Sequence, residues 1–191
     1  MRYALFAGLL LAGSGLAGCQ PESQSRGLPT MAFAVVDSLL AAPVAFEAGF
    51  TVRPPQGWQR DASRTGSALL KAKQPVASFF ADSVGQGGMH TALIPLPGAL
   101  TWTEQVAAYE AAHPELDDEQ VRRAEFLKDG QPVLQHLIQQ PDTVSFSLLM
   151  PLRADTALQT VYLLPTSEYT AITARSIESS IGSISIHVQS K

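Results

Sequence analysis

The chain has almost no cysteine: Cys19 is the only one in 191 residues. A disulfide framework and a thiolate metal site are therefore both ruled out. Charge is also scarce. There are 13 Lys and Arg against 17 Asp and Glu, a net charge of −4. That balance argues against nucleic acid as a partner and against electrostatic adhesion to anionic lipid. Beyond residue 18 no apolar run approaches the roughly 20 residues that cross a bilayer as a helix. No Gly-x-Ser-x-Gly elbow occurs there either. The four histidines, His90, His113, His136 and His187, never stand at the i, i+2 or i, i+4 spacing of a local metal pair.

What is present begins at the N-terminus. Arg2 gives a short positive region, and Ala4–Ala12 is an apolar run of signal-peptide length. Gly13, Ser14 and Gly15 break it, and Leu16-Ala17-Gly18-Cys19 follows. This arrangement resembles a bacterial lipoprotein signal with its lipobox. The resemblance implies that residues 1–18 are removed. It also implies that the Cys19 sulfur carries a diacylglycerol thioether and that its freed amine is acylated with a fatty acid such as palmitate. Each buried methylene contributes about 0.8 kcal/mol, so two or three chains anchor firmly where one does not. The expected partner is thus a membrane, reached through the lipid on Cys19, outside the cytoplasm in the cell envelope. Gln20, which is not Asp, resembles outer-membrane sorting to the periplasmic face in a host with two membranes.

Residues 19–30 are polar, with Pro21, Gly27 and Pro29, and read as a flexible tether. Residues 31–191 read as one globular domain, with a sandwich core over about 46–186. Over Met31–Ala42, Ala32, Val35, Val36, Leu39 and Leu40 repeat as one helical stripe, which predicts an N-terminal helix over 31–42 ended by Pro43. Strand patterns follow at Gly49–Arg53, Ala68–Lys73, Ser78–Ser83 and His90–Ile94, separated by Gly and Pro. Thr101 and Glu104 form a capping box that opens a helix over Thr101–His113. Gln120–Leu127 and Val133–Gln140 read as a hairpin joined by Lys128-Asp129-Gly130-Gln131. Strands at Ser145–Leu152 and Gln159–Leu164 come next. A helix is then expected from Ser167 to Ile181, with Tyr169, Ile172, Ile177 and Ile181 as its apolar stripe, and an extended tail over Ser183–Val188. Short connections predict an α+β fold: a mainly antiparallel sheet with helices packed on it.

A strand, then Pro55-Gln56-Gly57-Trp58, then a capped helix, an Asp-Gly hairpin and a closing helix ending Ile177–Ile181 resemble the PsbP-like α/β/α sandwich, including its DcrB-type bacterial lipoproteins. The resemblance covers about residues 46–186. It implies a small binding or assembly protein at a membrane, mostly without enzymatic activity, in which Trp58 plugs the edge of the core. It carries over no catalytic or cofactor residues.

The residues themselves offer little chemistry. His136 sits in an alternating strand with Gln135 and Gln139 and is expected to line a polar sheet face. Asp117-Asp118-Glu119 lacks the alternating ligands and bend glycine of a calcium loop and reads as a solvated turn. Gly85-Gln86-Gly87-Gly88 joins two strands and has no Lys-Ser/Thr, so it is not a phosphate loop. Arg122-Arg123 is too small a basic patch for a phosphate groove. Trp58, Trp102 and Tyr109 are expected to pack in the core. No catalytic cluster within hydrogen-bond reach is expected, and no cofactor. The functional expectation is a lipid-anchored binding or assembly module that meets another envelope protein. The alternative is a hydrolase whose site is assembled from residues distant in sequence.

Overall fold

The structure, a computed structural model, describes residues 27–61, 74–81, 87–118 and 120–187. The signal at 1–18, Cys19 and the strand expected at Ala68–Lys73 lie outside the described residues.

Seven strands form the main sheet: β3 (Gln59–Arg60), β4 (Gln74–Phe80), β5 (Gly88–Pro95), β6 (Val121–Lys128), β7 (Gln131–Gln139), β8 (Thr143–Arg153) and β9 (Thr156–Pro165). Their order is β3-β4-β5-β9-β8-β7-β6, and every neighbouring pair is antiparallel. β1 (Val44–Phe46) and β2 (Phe50–Val52) join β10 (Ser185–Ile186) in a three-stranded sheet. α1 (Trp102–Ala111) and α2 (Ala171–Ser183) are the two α-helices among the described residues. The fold is α+β, built on antiparallel sheet with helices packed against it.

β6 to β9 form a meander, and local chemistry sets its turns. Asp129 and Gly130 have φ of 51° and 77°, the left-handed pair that matches strand twist in a two-residue hairpin. The β7–β8 ladder stops at Leu134↔Leu149. Two pairs further, Pro132 would face Pro151, and neither ring nitrogen has a hydrogen to give.

Cross-strand partners share a face, so the registers sort the side chains into two layers. On one face Ala92, Ile94, Leu134, Leu149 and Ala157 are buried beneath Val106 and Tyr109 of α1. On the other face Phe79, Met89, Phe146, Leu148, Tyr162 and Leu164 pack with Ile177 and Ile181 of α2 and Phe50 of the small sheet. α1 starts where its capping box dictates: the Thr101 backbone N donates to Glu104 Oε2 at 2.8 Å, and the Glu104 N donates to Thr101 Oγ1 at 3.5 Å. Trp58 is half-buried against the larger core cluster.

Two sequence expectations are corrected. Met31–Ala42 is not a helix; only Asp37–Leu39 makes a single 3-10 turn. The rest is an extended strap whose backbone bonds go elsewhere. The Met31 N donates to the Leu127 carbonyl at 2.8 Å, and the Leu127 N donates to the Pro29 carbonyl at 2.8 Å. Further along, Ser179 Oγ of α2 accepts from the Val36 N and donates to the Ala34 carbonyl, both at 3.3 Å. An isolated helix of this length is marginal in water, so these tertiary partners prevail over the apolar stripe. The strap crosses α2 at Gly182, where an added Cβ would stand 2.8 Å from Phe33 Cβ.

The second correction concerns α2. It begins at Ala171 rather than Ser167, and Thr166–Glu168 is a 3-10 turn. Ile172 is 71% exposed. Nine residues separate Ile172 from Ile181, and at 100° per residue that places them on opposite sides of the helix. The buried stripe is Ile177, Ser180, Ile181 and, just past the helix end, Ile184. The tail is extended at Ser185–Ile186, while Val188 lies outside the described residues.

Candidate functional site

α1 sits on its sheet face through polar pins as much as through apolar contact. Near its start, Gln105 Nε2 donates to the Pro97 and Ala154 carbonyls at 3.0 and 2.9 Å. Towards its end, Tyr109 Oη accepts from Gln159 Nε2 at 2.7 Å, and the same amide reaches Ser147 Oγ at 3.2 Å. Burial pushes the Tyr109 phenol up to about 12, against hydrogen bonds from Ser147 and Gln159, and the charges of Glu115 and Glu110 add to the rise. It is therefore a neutral hydroxyl at physiological pH.

At the end of α1, one carboxylate gathers two cationic or potentially cationic groups from the sheet. Glu110 Oε1 lies 2.6 Å from Arg123 Nε on β6 and 2.9 Å from His136 Nε2 on β7. Arg123 also pairs with Glu125. Burial raises the Glu110 carboxyl, but the hydrogen bonds and charges of Arg123 and His136 outweigh it and hold the group below its ordinary range. Burial is the largest influence on His136 and lowers it, against the raising effect of Glu110. Arg123 is raised further, chiefly by its bond to Glu110.

The pair belongs to a row, polar except for Val161, that crosses six of the seven strands. Register places Arg123 opposite His136, His136 opposite Ser147, Ser147 opposite Val161, Val161 opposite His90, and His90 opposite Ser78. All six share the α1 side of the sheet. At the far end His90 Nδ1 is 2.9 Å from Ser78 Oγ.

The histidine expected to line a polar face thus lies on one, but it is 2% exposed and held by a carboxylate from a helix 26 residues earlier. Sequence spacing gave no sign of this Glu110–His136–Arg123 cluster. β6 and β7 also carry Arg122, Lys128, Gln131, Gln135 and Gln139, so polarity alone did not single out Arg123, Glu125 and His136. The components of a hydrolase meet only in part. Ser147 is a cross-strand neighbour of His136, yet its hydroxyl is engaged by Gln159 and Tyr109.

Outside the packed row, a cleft of about 410 Å³ opens where the end of α1 and the turn after it overhang β6. Its walls are Glu110, Ala111, Pro114, Leu116, Asp117 and Arg123. Asp117 ends a 3-10 turn, and Asp118 Oδ1 accepts from the Gln120 N at 2.8 Å. Two of the three acids at 117–119 are therefore placed, and Glu119 lies outside the described residues.

The remaining singled-out residues are dispersed. His113 packs against Tyr109, the rings tilted by 30° with centroids 4.3 Å apart. His187 bonds Thr51 Oγ1 at 2.9 Å on the small sheet. Trp102 is half-buried beside Val106, and Arg122 is exposed. Gly87 and Gly88 lead into β5, while Gly85 and Gln86 lie outside the described residues. Among the described residues, no three His, Cys, Asp or Glu side chains converge as a metal site. No protein-family model matches the chain, and no curated protein matches it.

Proposed function

We propose that this chain is a lipid-anchored protein of the cell envelope that acts as a binding or assembly module. The observation that carries the proposal is Leu16-Ala17-Gly18-Cys19 at the end of a short apolar run in a chain with no other cysteine. The membrane contact is the acyl chains on Cys19, and in a host with two membranes Gln20 favours the periplasmic face of the outer one. A sheet with a helix on each face supports the PsbP-like, DcrB-type reading, with its habit of binding in place of catalysis. The tether fits that role: from Cys19 to Pro29 the chain reaches at most about 35 Å. A domain held that close to a membrane meets membrane-bound partners at high effective concentration.

The test is fractionation of the producing cell together with intact mass measurement. The natural protein is expected in the membrane fraction, beginning at Cys19 with the added mass of a diacylglycerol and an acyl chain. Cys19→Ala is expected to release a folded domain from the membrane. A free thiol on the natural product, or a Cys19→Ala protein that stays on the membrane, overturns the anchor. Co-purification with the acylated protein identifies the partner.

A further inference from the structure

We infer that the outer edge of β6, together with the cleft beside it, is a docking site for an extended segment of another protein that carries a lysine or arginine. This inference rests on the binding-module reading and gives it a surface and a partner chemistry.

β6 is the last strand of the seven-stranded sheet. Only its end is covered by described residues. The strap runs parallel to it and makes two bonds, both to Leu127. In a strand, backbone groups alternate in direction. Leu127 turns its N–H and C=O outward to the strap, so Glu125, Arg123 and Val121 turn theirs outward as well. The Val121 N–H is taken by the Asp118 carbonyl at 2.9 Å. The N–H and C=O of Arg123 and Glu125 meet no partner among the described residues. The strap does not continue along them, for a chemical reason. The next parallel bond would run from the N of residue 29 to the Glu125 carbonyl, and Pro29 has no hydrogen to give.

An open sheet edge binds extended chains through the backbone, and adjoining pockets read alternate side chains. Here the adjoining pocket exists. A residue added opposite Arg123 shares its face, the face on which Arg123, Glu110 and Asp117 line the 410 Å³ cleft. Arg123 is already held by Glu110 and Glu125. No cation pairs with Asp117 among the described residues, and the chain as a whole carries −4. The incoming side chain that completes this cleft is therefore cationic, with a stem long enough to lie along Leu116 and Pro114.

The experiment uses the full chain in mild detergent and two fluorescein-labelled peptides, Thr-Val-Thr-Lys-Thr-Val-Thr and the same sequence with Glu at its centre. Anisotropy reads affinity, and hydrogen exchange reads the β6 amides. The lysine peptide is expected to bind at least tenfold more tightly than the glutamate peptide and to slow exchange at Arg123 and Glu125. Glu125→Pro removes an outward N–H and no ladder bond to β7; it is expected to weaken binding at least tenfold with the circular dichroism unchanged. Asp117→Asn, which leaves the backbone intact, is expected to reduce the lysine preference below threefold while binding persists. Equal affinity for both peptides, or protection elsewhere than 121–125, overturns the inference. So does slow exchange at Arg123 and Glu125 without peptide, which would mean that the tether or a second copy already covers the edge. Because the peptides read the edge whether or not Cys19 is acylated, failure here is distinct from failure of the lipid anchor.

Discussion

Replacing Glu110 with alanine tests whether the carboxylate under α1 holds the helix to the sheet. The substitution removes the acceptor of two bonds, from His136 Nε2 at 2.9 Å and Arg123 Nε at 2.6 Å. His136 is 2% exposed, so its N–H loses a charged acceptor without gaining water, a loss of about 1.5–3 kcal/mol. Arg123 is 44% exposed and keeps Glu125, so its share is at most about 1 kcal/mol. Alanine returns a few tenths, about 0.5 kcal/mol at most, through helix propensity. Glu110→Ala should therefore lower stability by about 1–3.5 kcal/mol in urea denaturation at pH 7.5. A cycle with His136→Ala should show coupling of at least about 1 kcal/mol. A loss below about 0.5 kcal/mol, or no coupling, would refute the clasp.

The pH dependence has a definite sign. Both His136 and Glu110 are lowered in the folded state. The unfolded chain therefore binds more protons, and stability falls as pH falls. For His136 the loss begins below its unfolded value of about 6.5, and for Glu110 below about 4.3. Without Glu110 the histidine loses the group that favours its charged form. The stability gap between pH 7.5 and pH 5.5 should then be wider in Glu110→Ala than in the natural protein.

Three further outcomes follow from the packing. Ile177→Ala, at a fully buried position between α2 and the sheet, should reduce stability by about 2–5 kcal/mol in the same denaturation assay. Gly182→Ala places a Cβ 2.8 Å from Phe33 Cβ and 3.0 Å from Val35 Cγ2, so limited proteolysis should cut faster within 31–36 while the far-ultraviolet dichroism of the domain persists. Gly130→Val forces a branched residue to φ 77° and should cost about 1–2 kcal/mol, read as a lower urea midpoint.

The sequence revealed elements whose determinants are local. The Thr101/Glu104 capping box started α1 where expected, because each partner is three residues from the other. The Asp129-Gly130 turn fixed the β6–β7 hairpin, because left-handed backbone requires those residue types. The strap was illegible because its partners, Leu127 and Ser179, lie about 100 residues or more away. Its apolar spacing fits a helix and an edge segment equally well until those partners are known. The Ile172 error was of another kind, a stripe drawn across a half-turn of helix. The clasp was hidden for the strap's reason: Glu110, Arg123 and His136 come from three elements, and only the registers bring them together.

The strap also determines how the protein would bear mechanical load. Tension applied from the N-terminal side would arrive first at Pro29 and Met31, whose two bonds to Leu127 lie at the rim of the sheet. Those bonds would yield before Phe33 leaves Phe126 and before Ser179 releases Val36 and Ala34. Because they are separate from the β6–β7 ladder, the strap acts as a fuse, lengthening the leash under force while the seven strands behind it remain zipped.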